Sequence, residues 1–256
     1  MIRVEKGAPP RNLAKRASAG HAIHAAQYLA DGADYRSGKK SFKPDSTIYG
    51  AKAVKTKLRQ AHSGKCVYCE EKLDKRTTHG HVEHFRPIAF SKASAGTVEI
   101  RPGYYWLAYA WENFLWSCHY CNSTRKGNLF PLADEMVRAR LPSDDLALEE
   151  PMLVKPDKED PSLHIGWYKE VPMGLTERGR ITIEVLGLDL PVHETRLSHY
   201  RRLEQAHAIV SDLTGSPDAN AHRHVVSFRA FLLGCCTADQ PFSAMATAFL
   251  RDNPLP

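Results

Sequence analysis

The sequence predicts an α+β chain, mainly helical, built around one small metal-braced core. Three observations carry this. Two CxxC pairs, Cys66/Cys69 and Cys118/Cys121, flank a stretch rich in His, Asn and aromatic residues. Apolar residues recur at helical spacing before and after that stretch. Between the core and the last helices, Pro142, Pro151, Pro156, Pro161 and Pro172 exclude long regular elements and predict a loop-rich cover with a strand or two.

Taken in order, residues 1–20 mix Arg, Lys, Gly and Pro with little apolar periodicity and read as an extended arm. Residues 21–30 are Ala-rich and helical, 31–43 form a polar turn region, and 46–61 place Ile48, Ala51, Val54 and Leu58 on one helical face. Residues 181–186 suit a short helix or a strand. Residues 193–213 align Leu197, Tyr200, Leu203, Ala206, Val210 and Leu213, and 222–250 supply one or two further helices. The organisation expected is an N-terminal arm and helices over 1–61, a core over 62–135, and a cover with C-terminal helices over 136–256.

With 256 residues, 43% of them hydrophobic, the chain can bury a sizeable core. Its longest apolar run, residues 104–111, is well short of the roughly 18 that a membrane span needs. The first residues lack the apolar stretch of a secretory signal, so a cytoplasmic location without disulfides is expected. A net charge of +6 biases the chain modestly toward polyanions such as nucleic acid.

Two CxxC pairs on a closing loop suit a closed tetrahedral Zn²⁺ site, structural in role. A redox CxxC needs no second pair. Cys235 and Cys236 lie in an apolar helix and read as core. Between and beside the knuckles stand His81, Val82, Glu83, His84, Phe85, Arg86, Pro87 and then Asn113 through Asn122. Phosphodiester hydrolysis needs a nucleophilic water, a cation and a base. His84 suits the base, its unperturbed imidazole titrating near about 6.5. Glu83 and Asn122 offer hard oxygens that favour Mg²⁺ or Mn²⁺. His81, two residues before Glu83, shares its strand face and suits an auxiliary ligand or a phosphate contact. His79 and His119 read as loop or knuckle residues. Arg86, Arg125 and Lys126 flank the site as candidate phosphate contacts. Tyr104, Tyr105, Trp106, Tyr109, Trp111, Phe114 and Trp116 could stack on bases, but most follow a packing stripe.

An acid followed by His, then Asn opening a hydrophobic strand, then CxxC followed by Asn resembles the HNH endonucleases over about 65 residues. The resemblance implies a zinc-braced ββα-metal (HNH) nuclease core, with Asn113 as the middle Asn whose amide binds backbone and aims His84. Many such enzymes carry His where Asn122 stands, which makes softer ions poorer occupants here. Further likeness in Cys66–Glu70, Val82–Pro87, Tyr105–Ala108, Asn122–Lys126, Asn128–Pro131 and Glu150–Pro156 is similar to the PtuB-type HNH proteins of Septu and some retron anti-phage systems. Ile88 departs from that pattern, which carries Lys there. The resemblance implies an effector nuclease acting with an ABC/SMC-type ATPase, PtuA, and in some systems a retron complex. The chain has no GxxxxGK[ST] of its own, so restraint is expected from that partner. The helices over 193–250 and the Pro-rich 140–175 are the candidate docking regions. A zinc-braced nucleic-acid-binding or adaptor subunit with an inactive site is the alternative.

Overall fold

The computed structural model describes residues 1–74, 79–190 and 194–256. Along the chain run α1 (Leu13–Ser37), α2 (Ser46–Tyr49), α3 (Lys52–Ala61), β1 (Gly80–His84), β2 (Phe114–Cys118) and a π-helical turn (Tyr120–Lys126). The cover supplies β3 (Ile165–Tyr168), β4 (Val171–Gly174) and α4 (Glu177–Leu186), followed by α5 (Glu194–Leu213), α6 (Ala219–Cys235) and α7 (Ser243–Asp252). The architecture is α+β: two separate antiparallel hairpins, β1–β2 and β3–β4, set among helices. No described helix is long and apolar enough to cross a membrane.

The arm expected over 1–20 is irregular only through Asn12; its remaining eight residues are helical. Helix α1 starts at Leu13, kinks at Asp31, where the expected turn region begins, and resumes to Ser37, where Gly38 at φ 84° ends it. Its buried face is Leu13, Ala17, Gly20 and His24, a helical stripe too small and polar for a hydrophobicity reading to detect. Gly20 is required there, because a Cβ would lie 2.4 Å from the Tyr109 ring. Residues ahead of α1 also dock. Val4 N–H donates to the Pro156 carbonyl at 2.9 Å. Lys6 Nζ donates to the Trp111 and Phe114 carbonyls and pairs with Asp157 at 2.8 Å.

The single helix expected over 46–61 is two, α2 and α3, broken at Gly50 and Ala51; within α3 the pattern holds, burying Val54 and Leu58 against the hairpin while Lys52, Lys55 and Arg59 face outward. Residues 181–186 belong to helix, not strand. Thr176 caps α4 by accepting from Gly179 N–H at 3.1 Å, and Gly187 at φ 57° stops it. The helix predicted over 193–213 begins at Glu194; residue 193 lies outside the described residues.

Tyr200, Leu203, Ala206 and Val210 are buried in a cluster with Leu232, Met245 and Phe249. The stripe that was a candidate docking face is therefore core of the α5–α7 unit. That unit is locked to the first knuckle through Lys65, whose Nζ reaches Glu70 (3.1 Å), Ser243 Oγ (3.0 Å) and the Gln240 carbonyl (2.8 Å).

At the end of α3, His62 is 3% exposed and its Nδ1–H donates to the Leu58 carbonyl at 2.7 Å. Burial pushes its pKa down to about 4. The unfolded chain, with an ordinary histidine, binds more protons between about pH 6.5 and 4, so stability falls as pH drops through that window. We expect wild type to lose about 2 kcal/mol more than His62→Phe between pH 7.5 and 5 in urea unfolding. Parallel pH dependences would refute the neutral buried state.

Candidate metal centre and active site

The first knuckle is held on β2 by the Val67 N–H bond to the Trp116 carbonyl (2.9 Å) and closed by Glu70 N–H to the Cys66 carbonyl (3.0 Å), with Glu70 at φ 61°. Cys118 ends β2 and Cys121 lies in the following turn, its N–H reaching Cys118 Sγ at 3.4 Å. All four cysteines are buried and unbridged, with their sulfurs within 4.8 Å of one another and Cys69 Sγ 3.9 Å from Cys118 Sγ. A tetrahedral ion with Zn–S bonds of about 2.3 Å places its sulfurs about 3.8 Å apart. The cluster therefore fits an ion such as zinc. Hydrogen bonds among the four sulfurs lower the pKa of the Cys118 thiol and raise those of Cys69 and Cys121, so without an ion the cluster shares its protons. Cys235 packs in the α5–α7 core, as expected.

Register sets the second centre. β1 pairs with β2 as Gly80↔Cys118, Val82↔Trp116 and His84↔Phe114, so the cysteines stand at one end of the hairpin and His84 at the other. Glu83, His84 and Asn122 line one cavity of about 280 Å³ with Tyr49, Ser123 and Asn128. The Tyr49 ring meets His84 edge-on at 5.0 Å.

Asn113 lies behind this cavity, 4% exposed. Its Oδ1 accepts from Arg86 N–H at 2.7 Å and its Nδ2 donates to the Arg86 carbonyl at 3.0 Å, bracketing one residue. His84 Nε2 lies 3.0 Å from the Ala108 carbonyl. A carbonyl only accepts, so Nε2 carries the proton and Nδ1 is the basic nitrogen of the neutral ring. Burial, with Lys126 nearby, lowers the His84 pKa to about 4, below the unperturbed value that the sequence suggests.

The candidate phosphate contacts lie elsewhere. Lys126 is fully buried, 2.7 Å from Glu83 Oε1, and its Nζ donates to the His84 carbonyl at 3.0 Å. Burial raises the Glu83 pKa and Lys126 opposes that rise. Arg86 donates to Glu149 at 2.9 Å and lies over the Tyr104 and Phe130 rings. Arg125 donates to the Glu184 carbonyl at 3.0 Å. None of the three lines the cavity, and neither does His81, which is exposed with its ring 5.7 Å from His119. Of the aromatics considered for base stacking, Tyr104, Tyr105, Tyr109, Trp111, Phe114 and Trp116 are buried.

The sequence reading missed the exposed cations of α3. Lys52, Lys55 and Arg59 border a second cavity of about 480 Å³ floored by Leu73 and Trp116. Their spacing of three and four along one helix was the available signal. Tyr49 carried none, since its place at His84 depends on how α2 packs.

The molecule is thus an α+β protein with a buried four-cysteine cluster that could hold a metal ion and a separate His/Glu/Asn cavity on one hairpin. No protein-family model matches the chain. Over 117 residues, 46% of its length, it is 39% identical to Septu protein PtuB of Bacillus mycoides (strain KBAB4), of which 39% is covered. Over 144 residues, 56% of its length, it is 28% identical to Septu protein PtuB of Bacillus thuringiensis, of which 44% is covered. The chain thus spans less than half the length of these curated relatives.

Two expectations follow. Purified protein should carry about one zinc per chain, and Cys118→Ser should lose the metal and unfold at markedly lower temperature, because metal binding at such a site is folding free energy of order 10 kcal/mol. A folded, metal-free wild type would contradict this. Lys126→Met should cost about 3–5 kcal/mol in urea unfolding by leaving the Glu83 charge buried alone. A cost under about 1 kcal/mol would mean that Glu83 is not ionised there.

Proposed function

We propose that this chain is a divalent-metal-dependent endonuclease of the HNH kind, the PtuB-type effector of an anti-phage defence system. The observation that carries the reading is the convergence of Glu83, His84 and Asn122 on one cavity, with Asn113 bracketing the Arg86 backbone behind it. A hairpin followed directly by a helical turn, braced by a four-cysteine cluster, is the order of parts in a ββα-metal core. Zn²⁺ is assigned to Cys66, Cys69, Cys118 and Cys121. The similarity to Septu proteins supports the defence setting.

In this reading Glu83 and Asn122 hold a Mg²⁺ or Mn²⁺ ion through a carboxylate and an amide oxygen, a hard donor pair suited to either. When bound, the ion supplies Lewis-acid stabilisation of the phosphoryl and leaving oxygens. His84 Nδ1 takes the proton of a water as that water attacks phosphorus; the P–O bond breaks and the leaving oxygen takes a proton from solvent. A pKa near 4 keeps His84 neutral at physiological pH, with Nδ1 unprotonated, and makes it a weaker base than an ordinary histidine. Lys126 holds Glu83 in place beneath the cavity. Nucleic acid is steered by exposed cations, and Lys52, Lys55 and Arg59 on α3 are the group best placed for this. The gating partner is assigned as an ABC/SMC-type ATPase of the PtuA kind, with or without a retron complex, acting on a cytoplasmic protein.

The second reading, a zinc-braced nucleic-acid-binding or adaptor subunit, is favoured by the Lys126–Glu83 ion pair, which places a cation of the protein against the proposed metal ligand. One assay separates them. Wild type should nick supercoiled plasmid with Mg²⁺ or Mn²⁺, and His84→Ala should lose about 10²–10⁴ in rate with zinc content unchanged. Glu83→Gln and Asn122→Ala should be partly restored by excess Mn²⁺. Binding without cleavage under all metals, with and without the ATPase, would establish the adaptor instead.

A further inference from the structure

The peptide unit between Ala108 and Tyr109 is engaged at both ends by histidines from distant parts of the chain. Its carbonyl accepts from His84 Nε2 at 3.0 Å, and its N–H donates to His21 Nε2 on α1 at 3.2 Å. Ala108 is fully buried, so this peptide has no water to turn to. A neighbouring contact pins the same turn to the same helix, since His24 Nδ1 donates to the Tyr105 carbonyl at 3.3 Å. The Tyr109 ring lies 5.3 Å from the His21 ring and packs against Gly20, where no side chain fits. Tyr109 Oη in turn accepts from Asp45 N–H at 2.7 Å.

We propose that His21 is a positioning residue for His84, fixing the orientation of the Ala108–Tyr109 peptide and through it the tautomer of the His84 ring. The inference rests on the reading of His84 as the base. A ring held by an Nε2–H bond to a fixed carbonyl keeps Nδ1 free of a proton. Were the peptide to rotate, Nε2 would lose its acceptor and the two tautomers would mix. The His21 bond opposes that rotation, and a hydrogen bond at one end of a peptide polarises the group toward a stronger bond at the other. His21 can accept only as neutral imidazole with its proton on Nδ1; burial lowers its pKa, followed by repulsion from His24, which favours that form. Helix α1 is in this way part of the catalytic apparatus, although it ends 43 positions before β1 begins and lies outside the hairpin and turn that carry the site.

The test uses the full zinc-loaded chain labelled with ¹⁵N-histidine, the His84 ring assigned by its absence in His84→Gln. In wild type, long-range ¹⁵N–¹H correlations should report His84 protonated at Nε2 alone. His21→Phe keeps a ring against Tyr109 but removes the acceptor. It should give a mixture of His84 tautomers and a cleavage rate about 10-fold to 100-fold lower, with zinc content and Tm close to wild type. His21→Gln, whose side-chain carbonyl can accept from Tyr109 N–H, should recover both. If His21→Phe fails to fold, His21→Leu makes the same comparison against His21→Gln. Unchanged His84 signals in the acceptor-free variant, or equal losses in that variant and His21→Gln, would overturn the proposal. Should wild type cleave nothing while the His84 tautomer still follows His21, the nuclease reading falls and the relay stands. Cleavage with a His84 tautomer indifferent to His21 overturns the relay alone.

Discussion

The register of β1 on β2 is the constraint from which the rest of the molecule follows. Five residue pairs, Gly80↔Cys118 through His84↔Phe114, leave no freedom to slip, because a shift of one residue would swap Glu83 and His84 each onto the face opposite its own and carry Cys118 away from the first knuckle. Each end of the ladder is pinned by a different device. At the cysteine end, Val67 bonds Trp116, and the buried sulfurs converge as a metal requires. At the other end the Phe85 N–H bonds the Asn113 carbonyl, extending the pairing by one step, and the Asn113 amide clasps Arg86. A structural centre and a candidate catalytic one therefore share a single five-residue lever.

Six of the 35 Lys and Arg side chains are paired with acids within the fold. Lys6 and Lys155 converge on Asp157, Lys65 on Glu70, Lys126 on Glu83, and Arg138 with Arg86 on the Glu135, Tyr104 and Glu149 group. These side chains are buried or nearly so. Removing one partner from such a pair costs far more than the pair contributes, so they act as specificity devices that permit one docking of the loops. The same accounting moves the surface available to a polyanion away from the conspicuous Arg86, Arg125 and Lys126 and onto α3, where Lys52, Lys55 and Arg59 meet solvent. Net charge measures composition; burial decides which charges a partner can feel.

Support for the hairpin comes from segments that look peripheral in sequence. Helix α1 reaches the turn over residues 105–109 through His21, His24 and the gap at Gly20. Residues before α1 thread beneath Trp111 through Lys6. The α5–α7 unit leans on the first knuckle through Ser243 and Lys65. Each of these hydrogen bonds joins residues 81 or more positions apart, so the small hairpin is held in a frame of long-range hydrogen bonds rather than by a large sheet of its own.

What the sequence determined by itself was everything that spacing and side-chain chemistry encode locally. Two CxxC pairs marked the metal centre, the 3.6-residue pattern of Val54 and Leu58 marked α3, and the Glu83, His84, Asn113 and Asn122 set marked a cavity and the residue behind it. These signals survive without a fold because each depends on identity and interval alone. Tertiary structure decided the rest. It extended the helix legible over 21–30 to span 13–37, whose buried face is too small and polar for its hydrophobicity to show, and it placed Tyr49 beside His84. It turned Lys126 and Arg86 into internal partners, tied Arg125 to the Glu184 carbonyl at the surface, and put a histidine of α1 on the peptide that holds His84. Those outcomes depend on which buried donor meets which buried acceptor across the chain, and the cost of leaving either unpaired exists only once water has been excluded.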